Sequence, residues 1–333
     1  MKRPTIMIVD DLRENIDLIK TFFINDSYSF ISATSGEEAL SIMSKFKPDL
    51  ILLDILMPGM DGFEVCRHLK NNSDTSQIPV IMVTGMHDQK SKLQGIKMGV
   101  DDFVTKPIDM FELKTRVNSL IRLKEYADQL KSAERVIFGI ALSVEAKDPN
   151  SLGRCTRLAN YGSLLAEKMG LHENEIRAVR RGGVLHDIGK LTIQDNILLK
   201  PGPLSSDEFK IIQTHPGAGE HICKPLKTLA DVLPVIRSHQ ERFDGSGYPD
   251  GLKGDEIPLG AQIIAISECY DALSTDRPYR KALSRIEALD ILSQETNQGK
   301  WDPELFGEFK EILFQPDLEE KLNRSIFEIS NIN

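Results

Sequence analysis

The chain has 333 residues, with 41 Lys and Arg against 50 Asp and Glu and a formal net charge of −9. At about 150 residues per domain there is room for two domains with separate cores, and the acidic balance excludes a nucleic-acid binder working through a broad basic face. No apolar run approaches the ~18 residues of a membrane span. The short apolar run of MKRPTIMIVDD is no secretory h-region, and Cys66, Cys155, Cys223 and Cys269 lack CxxC spacing; free thiols in a reducing cytoplasm are expected.

The first third alternates strand and helix. Apolar runs at 5–9, 49–54, 78–85 and 101–107 read as buried strands, with helical patterns at 13–24, 36–46, 60–71 and 88–98. The alternation predicts a doubly wound α/β domain with a five-stranded parallel sheet, whose site lies beyond the carboxyl ends of the strands. Asp10, Asp11, Asp54, Thr84 and Lys106 stand at those ends. Carboxylates gathered there would repel unless a hard cation such as Mg²⁺ sat among them. One could act as a nucleophile toward phosphorus, and a lysine with a hydroxyl could hold the phosphoryl oxygens.

The segments VDD (9–11), LLDILMPGMDG (52–62), VTG (83–85) and GVDDFVTKP (99–107) resemble the receiver domain of two-component response regulators, over residues 1–122. The resemblance implies Asp54 as phosphoacceptor, Mg²⁺ on Asp10, Asp11, Asp54 and the backbone of Leu56, and Thr84 and Lys106 on the phosphoryl group. It also implies Phe103 as the switch aromatic, a cis Lys106–Pro107 bond and a sensor histidine kinase as partner.

From Asp109 to about Asp148 the pattern is one continuous helix, so 123–148 reads as a helical linker. Apolar residues at 113, 117, 120, 123, 127, 130, 137, 141 and 144 suggest a coiled coil and a homodimer, with Glu134 interrupting the series. Beyond it an all-α domain, 149–315, is expected, with helices near 152–169, 174–188, 206–223, 231–242, 259–275, 284–295 and 303–314. The stretch 316–333 is a tail without an assigned role. Histidines and carboxylates recur on these helices and could converge on a metal.

LHDIGK (185–190), the HP of THPGAG (214–219), HQERFDGSGYPDGLKGDEIPLGA (239–261) and YDALSTDRPYRKAL (270–283) resemble the HD-GYP family, phosphohydrolases that cleave cyclic di-GMP at an iron or manganese centre. The resemblance implies His186, Asp187, His215, His239 and Glu268 as metal ligands, Asp187 bridging, and Lys190 at the scissile phosphate. Gly247, Tyr248 and Pro249 would form the guanine end, with Arg277 and Arg280 on phosphates. Three positions depart from the pattern. Arg154 replaces a metal-binding histidine, Gln240 replaces a second, and Asn150 stands where some relatives carry a third-metal glutamate. A guanidinium cannot ligate a metal, but it can pair with Glu268 or Asp187 as one cation replacing another, and Gln240 offers a carbonyl oxygen. Two classes of output are therefore open: a cyclic di-GMP phosphodiesterase, or a catalytically weak module that binds nucleotide or protein with one loosely held metal or none. The lost ligands favour the second. A DNA-binding output has no support, since no helix-turn-helix signal is present.

Overall fold

The computed structural model describes residues 3–72, 74–85, 89–147, 153–276 and 280–322, with backbone alone for 89–92. Asn150 and Arg277 lie outside the described residues. The chain divides into two compact units between Lys131 and Ser132.

The first unit holds β1 (Thr5–Val9), α1 (Arg13–Phe22), β2 (Ser29–Ala33), α2 (Gly36–Met43), β3 (Leu50–Asp54), α3 (Gly62–Lys70), β4 (Val80–Thr84), α4 (Gln89–Lys97), β5 (Asp102–Thr105) and the start of α5 (Met110–Glu145). The sheet order is β2-β1-β3-β4-β5, all parallel. Strand side chains alternate between two cores, as their period of two demands. Met7, Val9, Ile51, Leu53, Val80 and Met82 pack with Ala39, Val65 and Leu69 of α2 and α3. Ile6, Ile8, Leu50, Leu52 and Ile81 pack with Ile16 and Ile19 of α1 and with Leu113, Val117 and Ile121 of α5. β2 is the strand that no apolar run announces. It lies at the sheet edge and buries only Ala33 fully.

The second unit is helical. After the end of α5 come α6 (Arg154–Lys168), α7 (Glu173–Leu185), α8 (Asp195–Leu198), α9 (Ser206–Ile212), α10 (His215–Cys223), α11 (Leu233–Ser238), α12 (Leu259–Ser274), α13 (Arg285–Asn297), α14 (Pro303–Leu313) and α15 (Leu318–Leu322). Among the described residues no strand lies beyond β5. Two expected helices are broken where the site is built. The 174–188 helix stops at Leu185, with His186 as its C-cap, and gives way to a 3₁₀ turn at Ile188–Thr192. The 206–223 helix splits at Gln213–Thr214, and α10 restarts with His215 and Pro216, a proline at the one place a helix tolerates it. The first part of the tail belongs to this unit. Leu318 and Leu322 of α15 enter its core, and the Asn160 amide donates to the Leu322 carbonyl at 2.8 Å. Glu134, which interrupts the apolar series of α5, pairs with Arg181.

Candidate functional site

In the first unit the strand ends converge as expected. Asp10 follows β1, Asp54 and Thr84 close β3 and β4, and Lys106 follows β5. Asp10, Asp11 and Asp54 each bring an oxygen within 4.8 Å of the others. Asp10 is held by the Leu12 backbone N–H and the Asn15 amide, both 2.9 Å away. The Lys106 ammonium reaches Asp54 at 2.7 Å and Asp10 at 3.3 Å. Burial lifts the Asp54 carboxyl above its ordinary pKa against the pull of Lys106 and of the Leu56 backbone N–H. Three carboxylates facing one ammonium remain net negative, and their hard oxygens suit Mg²⁺. Phe103 is half-buried with its ring against Gly95, where a Cβ would meet it at 2.5 Å. Lys106–Pro107 is cis, as is Tyr248–Pro249.

In the second unit the site gathers at helix ends. His186 caps α7, His215 opens α10 and His239 caps α11. Each ring points Nδ1 at a backbone carbonyl three residues earlier: Gly183 at 2.9 Å, Ile212 at 2.8 Å and Ile236 at 2.7 Å. A carbonyl can only accept, so Nδ1 carries the proton, and for His215 and His239 Nε2 presents its lone pair inward, the arrangement of ligating histidines. Burial pulls His186 down, but Asp187, 3.1 Å from its Nε2, outweighs burial and raises its pKa. Two ligand groups result, sharing Asp187: Asp187 with His215 and His239, and Asp187 with His186 and Glu268.

Arg154 enters the second group. Its guanidinium lies on Glu268 Oε1, and the Gln240 amide N–H donates to Glu268 Oε2 at 2.9 Å. Both oxygens of Glu268 are therefore taken by donors. The Gln240 carbonyl is taken as well, accepting from the Tyr248 hydroxyl at 3.2 Å. That contact turns the Gln240 carbonyl toward the 243–258 loop. Burial pushes Glu268 up, but Arg154 outweighs it and holds the carboxyl down at about 2. Burial, with His215 and His186 alongside, pushes His239 down to about 3, so it stays neutral.

Lys190 lies 2.7 Å from Asp187 Oδ2, an oxygen that also faces His186 Nε2 at 3.1 Å. Arg280 spends one amino group on the carbonyls of Ala272 and Leu273 near the end of α12. The loop is strapped against the 239–242 segment. Buried Glu241 accepts from the backbone N–H of Asp250 at 2.8 Å and of Gly251 at 3.1 Å, and a Cβ on Gly247 would meet Arg242 N and Glu241 Cα at 2.4 Å.

Two supporting residues are invisible to motif reading. Glu145, the last residue of α5, accepts from the backbone N–H of Arg154 at 2.6 Å and of Cys155 at 3.2 Å, capping α6 in place of its Gly153 N-cap. Arg157 clasps the buried Asp271 at 2.5 Å. The only sequence signal for either is an unpaired charge near a motif.

The response regulator receiver domain family matches residues 6–118, and the HD domain family matches residues 141–305. RpfG of Xanthomonas campestris pv. campestris, a cyclic di-GMP phosphodiesterase response regulator, is 36% identical over 77% of this chain and 73% of its own length.

The chain belongs to the response regulators that carry an HD domain.

A Vibrio cholerae relative of this response regulator named "Probable cyclic di-GMP phosphodiesterase" is 34% identical over 88% of this chain and 74% of its own length. The likeness reaches beyond one nucleotide. The 3'3'-cGAMP-specific phosphodiesterase 3 of Vibrio cholerae is 36% identical over 54% of this chain and 39% of its own. Among the described residues of the response regulator, no helix is long and apolar enough to cross a membrane.

The metal centre that the HD family implies fits these residues in part. Asp187, His215 and His239 offer an imidazole and carboxylate set suited to a divalent ion. The second group does not fit, because the donors of Arg154 and Gln240 occupy Glu268.

Proposed function

We propose that this response regulator takes a phosphoryl group on Asp54 from a sensor histidine kinase and passes that state to an HD unit that binds a cyclic dinucleotide, cyclic di-GMP first, and hydrolyses it weakly or not at all. On the receiver side, an Asp54 oxygen forms the new bond to phosphorus as the bond to the kinase imidazole nitrogen breaks. Lys106 and Thr84 hold the transferred oxygens, and Asp10 and Asp11 would hold Mg²⁺, which neutralises charge. On the output side the Tyr248 loop would take the base, and Lys190 and Arg280 would face phosphate. Iron or manganese would sit on Asp187, His215 and His239. The single observation that carries the reading is Glu268, with one oxygen under the Arg154 guanidinium and the other under Gln240.

The other reading, an active metal-dependent phosphodiesterase giving pGpG or GMP, draws on the relatives' names and on the intact Asp187, His215 and His239. Calorimetric titration of the full chain with cyclic di-GMP, with and without a small phosphodonor and Mg²⁺, tests the proposal. Saturable binding whose affinity shifts with the phosphodonor in the wild type, but not in Asp54→Asn, is expected. Absence of binding in both states would overturn it, and tighter binding of 3'3'-cGAMP would change the nucleotide assigned.

A further inference from the structure

Resting on that reading of the HD unit, we propose that it holds one divalent cation, on Asp187, His215 and His239, and that the Arg154 guanidinium stands in place of a second. The two ligand groups share Asp187 but differ in what already fills them.

In the first group three acceptors face one another. His215 Nε2 lies 3.1 Å from His239 Nε2 and 3.3 Å from Asp187 Oδ1. Both rings spend their Nδ1 protons on backbone carbonyls, and Asp187 Oδ1 is buried without a hydrogen-bond partner. Lone pairs cannot bond to each other. A proton on one ring would satisfy one contact and leave the third atom facing an acceptor, whereas one cation satisfies all three. Ligand atoms at ~2.0–2.1 Å around a tetrahedral ion such as zinc sit roughly 3.3 Å apart, close to the two separations that His215 Nε2 makes, 3.1 and 3.3 Å, and the three ligand atoms all lie within 4.8 Å of one another.

In the second group the oxygens are spent. Glu268 accepts from Arg154 and from Gln240, and the Asp187 oxygen on that side accepts from Lys190 at 2.7 Å. The charges agree with the geometry. Asp187 and Glu268 are balanced by Arg154 and Lys190 before any ion binds. One divalent ion then leaves the site with two positive charges, matching the two phosphodiester charges of a cyclic dinucleotide. A second would lie against a fixed guanidinium with no free carboxylate oxygen. A single ion can polarise one oxygen of an in-line displacement but cannot clamp both the attacking and the leaving one, so the arrangement retains the anion and slows its cleavage.

The test is a Mn²⁺ titration of the full chain, without nucleotide, read by electron paramagnetic resonance. Millimolar Mg²⁺ keeps the all-carboxylate receiver site filled. The wild type should bind one magnetically isolated Mn²⁺ per chain in the HD unit, and Arg154→His/Gln240→His should bind a second, spin-coupled to the first. A spin-coupled pair in the wild type would overturn the proposal, as would a wild type that binds no Mn²⁺, or a double variant with the wild-type thermal melt that still binds one. Should the double variant fail to fold, the wild-type spectrum decides alone. Because no nucleotide is present, this outcome is independent of whether the unit binds cyclic di-GMP.

Discussion

Arg154 and Glu268 lie 114 residues apart in the chain and meet in the interior of the HD unit. That a guanidinium at a ligand position would pair with a nearby acid was legible from charge alone. Which acid was not, since Glu268 and Asp187 were equal on paper, and the choice follows from Lys190 already holding Asp187. The contact of the Tyr248 hydroxyl with the Gln240 carbonyl forms only once the loop has folded back, so no spacing in the sequence announces it. A second residue-scale test lies away from the metal site. Burial pushes the Glu295 carboxyl up, but the Trp301 indole N–H at 2.9 Å and the Lys300 ammonium at 3.0 Å outweigh it and hold the carboxyl below its ordinary range. A carboxyl whose pKa is lowered on folding stabilises the protein above the unfolded glutamate pKa and loses that contribution as pH falls through the folded value. Glu295→Gln should therefore cost about 1 kcal/mol at pH 7, with the gap from wild type closing as the pH drops below ~4.3. Trp301 is the chain's single tryptophan and sits in the HD unit, so thermal melts followed by its fluorescence report that unit.

At the scale of elements, the helical periods located most helices but not their breaks. The sequence around 206–223 runs on as an amphipathic pattern, yet the helix restarts at His215, because Pro216 has no N–H for the Ile212 carbonyl four residues back, which instead faces the His215 Nδ1. The glycine of LHDIGK has a packing reason that no periodicity reveals. A Cβ on Gly189 would meet the His215 carbonyl oxygen at 1.9 Å and the Gly219 nitrogen at 2.5 Å, both backbone atoms that cannot yield. Gly189→Ala should cost about 3 kcal/mol and displace His215, which urea denaturation and Mn²⁺ affinity would both register. In α5 the apolar series sorts by destination. Leu113, Val117 and Ile121 enter the receiver core, and Ala141 and Val144 are buried near the other end. Leu123 and Leu130 of the series stay exposed. If a coiled-coil homodimer forms, as the series suggests, a second copy of α5 would cover them. Leu130→Asp should convert a dimer, measured by light scattering, to a monomer. Because Glu145 at the end of α5 caps Arg154, inserting two glycines after Ala133 should abolish the effect of phosphorylation on nucleotide affinity while leaving unphosphorylated binding in place. An undiminished response would exclude a helical relay.

Across the whole molecule, the parallel sheet and the helical unit were legible because each repeats one periodicity many times. β2 was not located, since an edge strand with one fully buried residue carries almost no apolar signal. The receiver constellation was likewise legible, because a parallel sheet gathers its strand ends by construction. The HD site depends on helix ends and on contacts between residues far apart in the chain, and its content became readable only in three dimensions. The receiver gathers Asp10, Asp11, Asp54 and Lys106 at its strand ends, while one of the two ligand groups of the HD unit is closed by a guanidinium. The proposed consequence is retention of a cyclic dinucleotide without efficient cleavage. The most direct measurement is a single-turnover assay with the full chain, reconstituted with Mn²⁺ or Fe²⁺, in excess over cyclic di-GMP, followed by chromatography of the recovered nucleotide with and without phosphodonor. Intact cyclic di-GMP is expected from the wild type and linear product from Arg154→His/Gln240→His; rapid, complete conversion to pGpG or GMP by the wild type would overturn the proposed function.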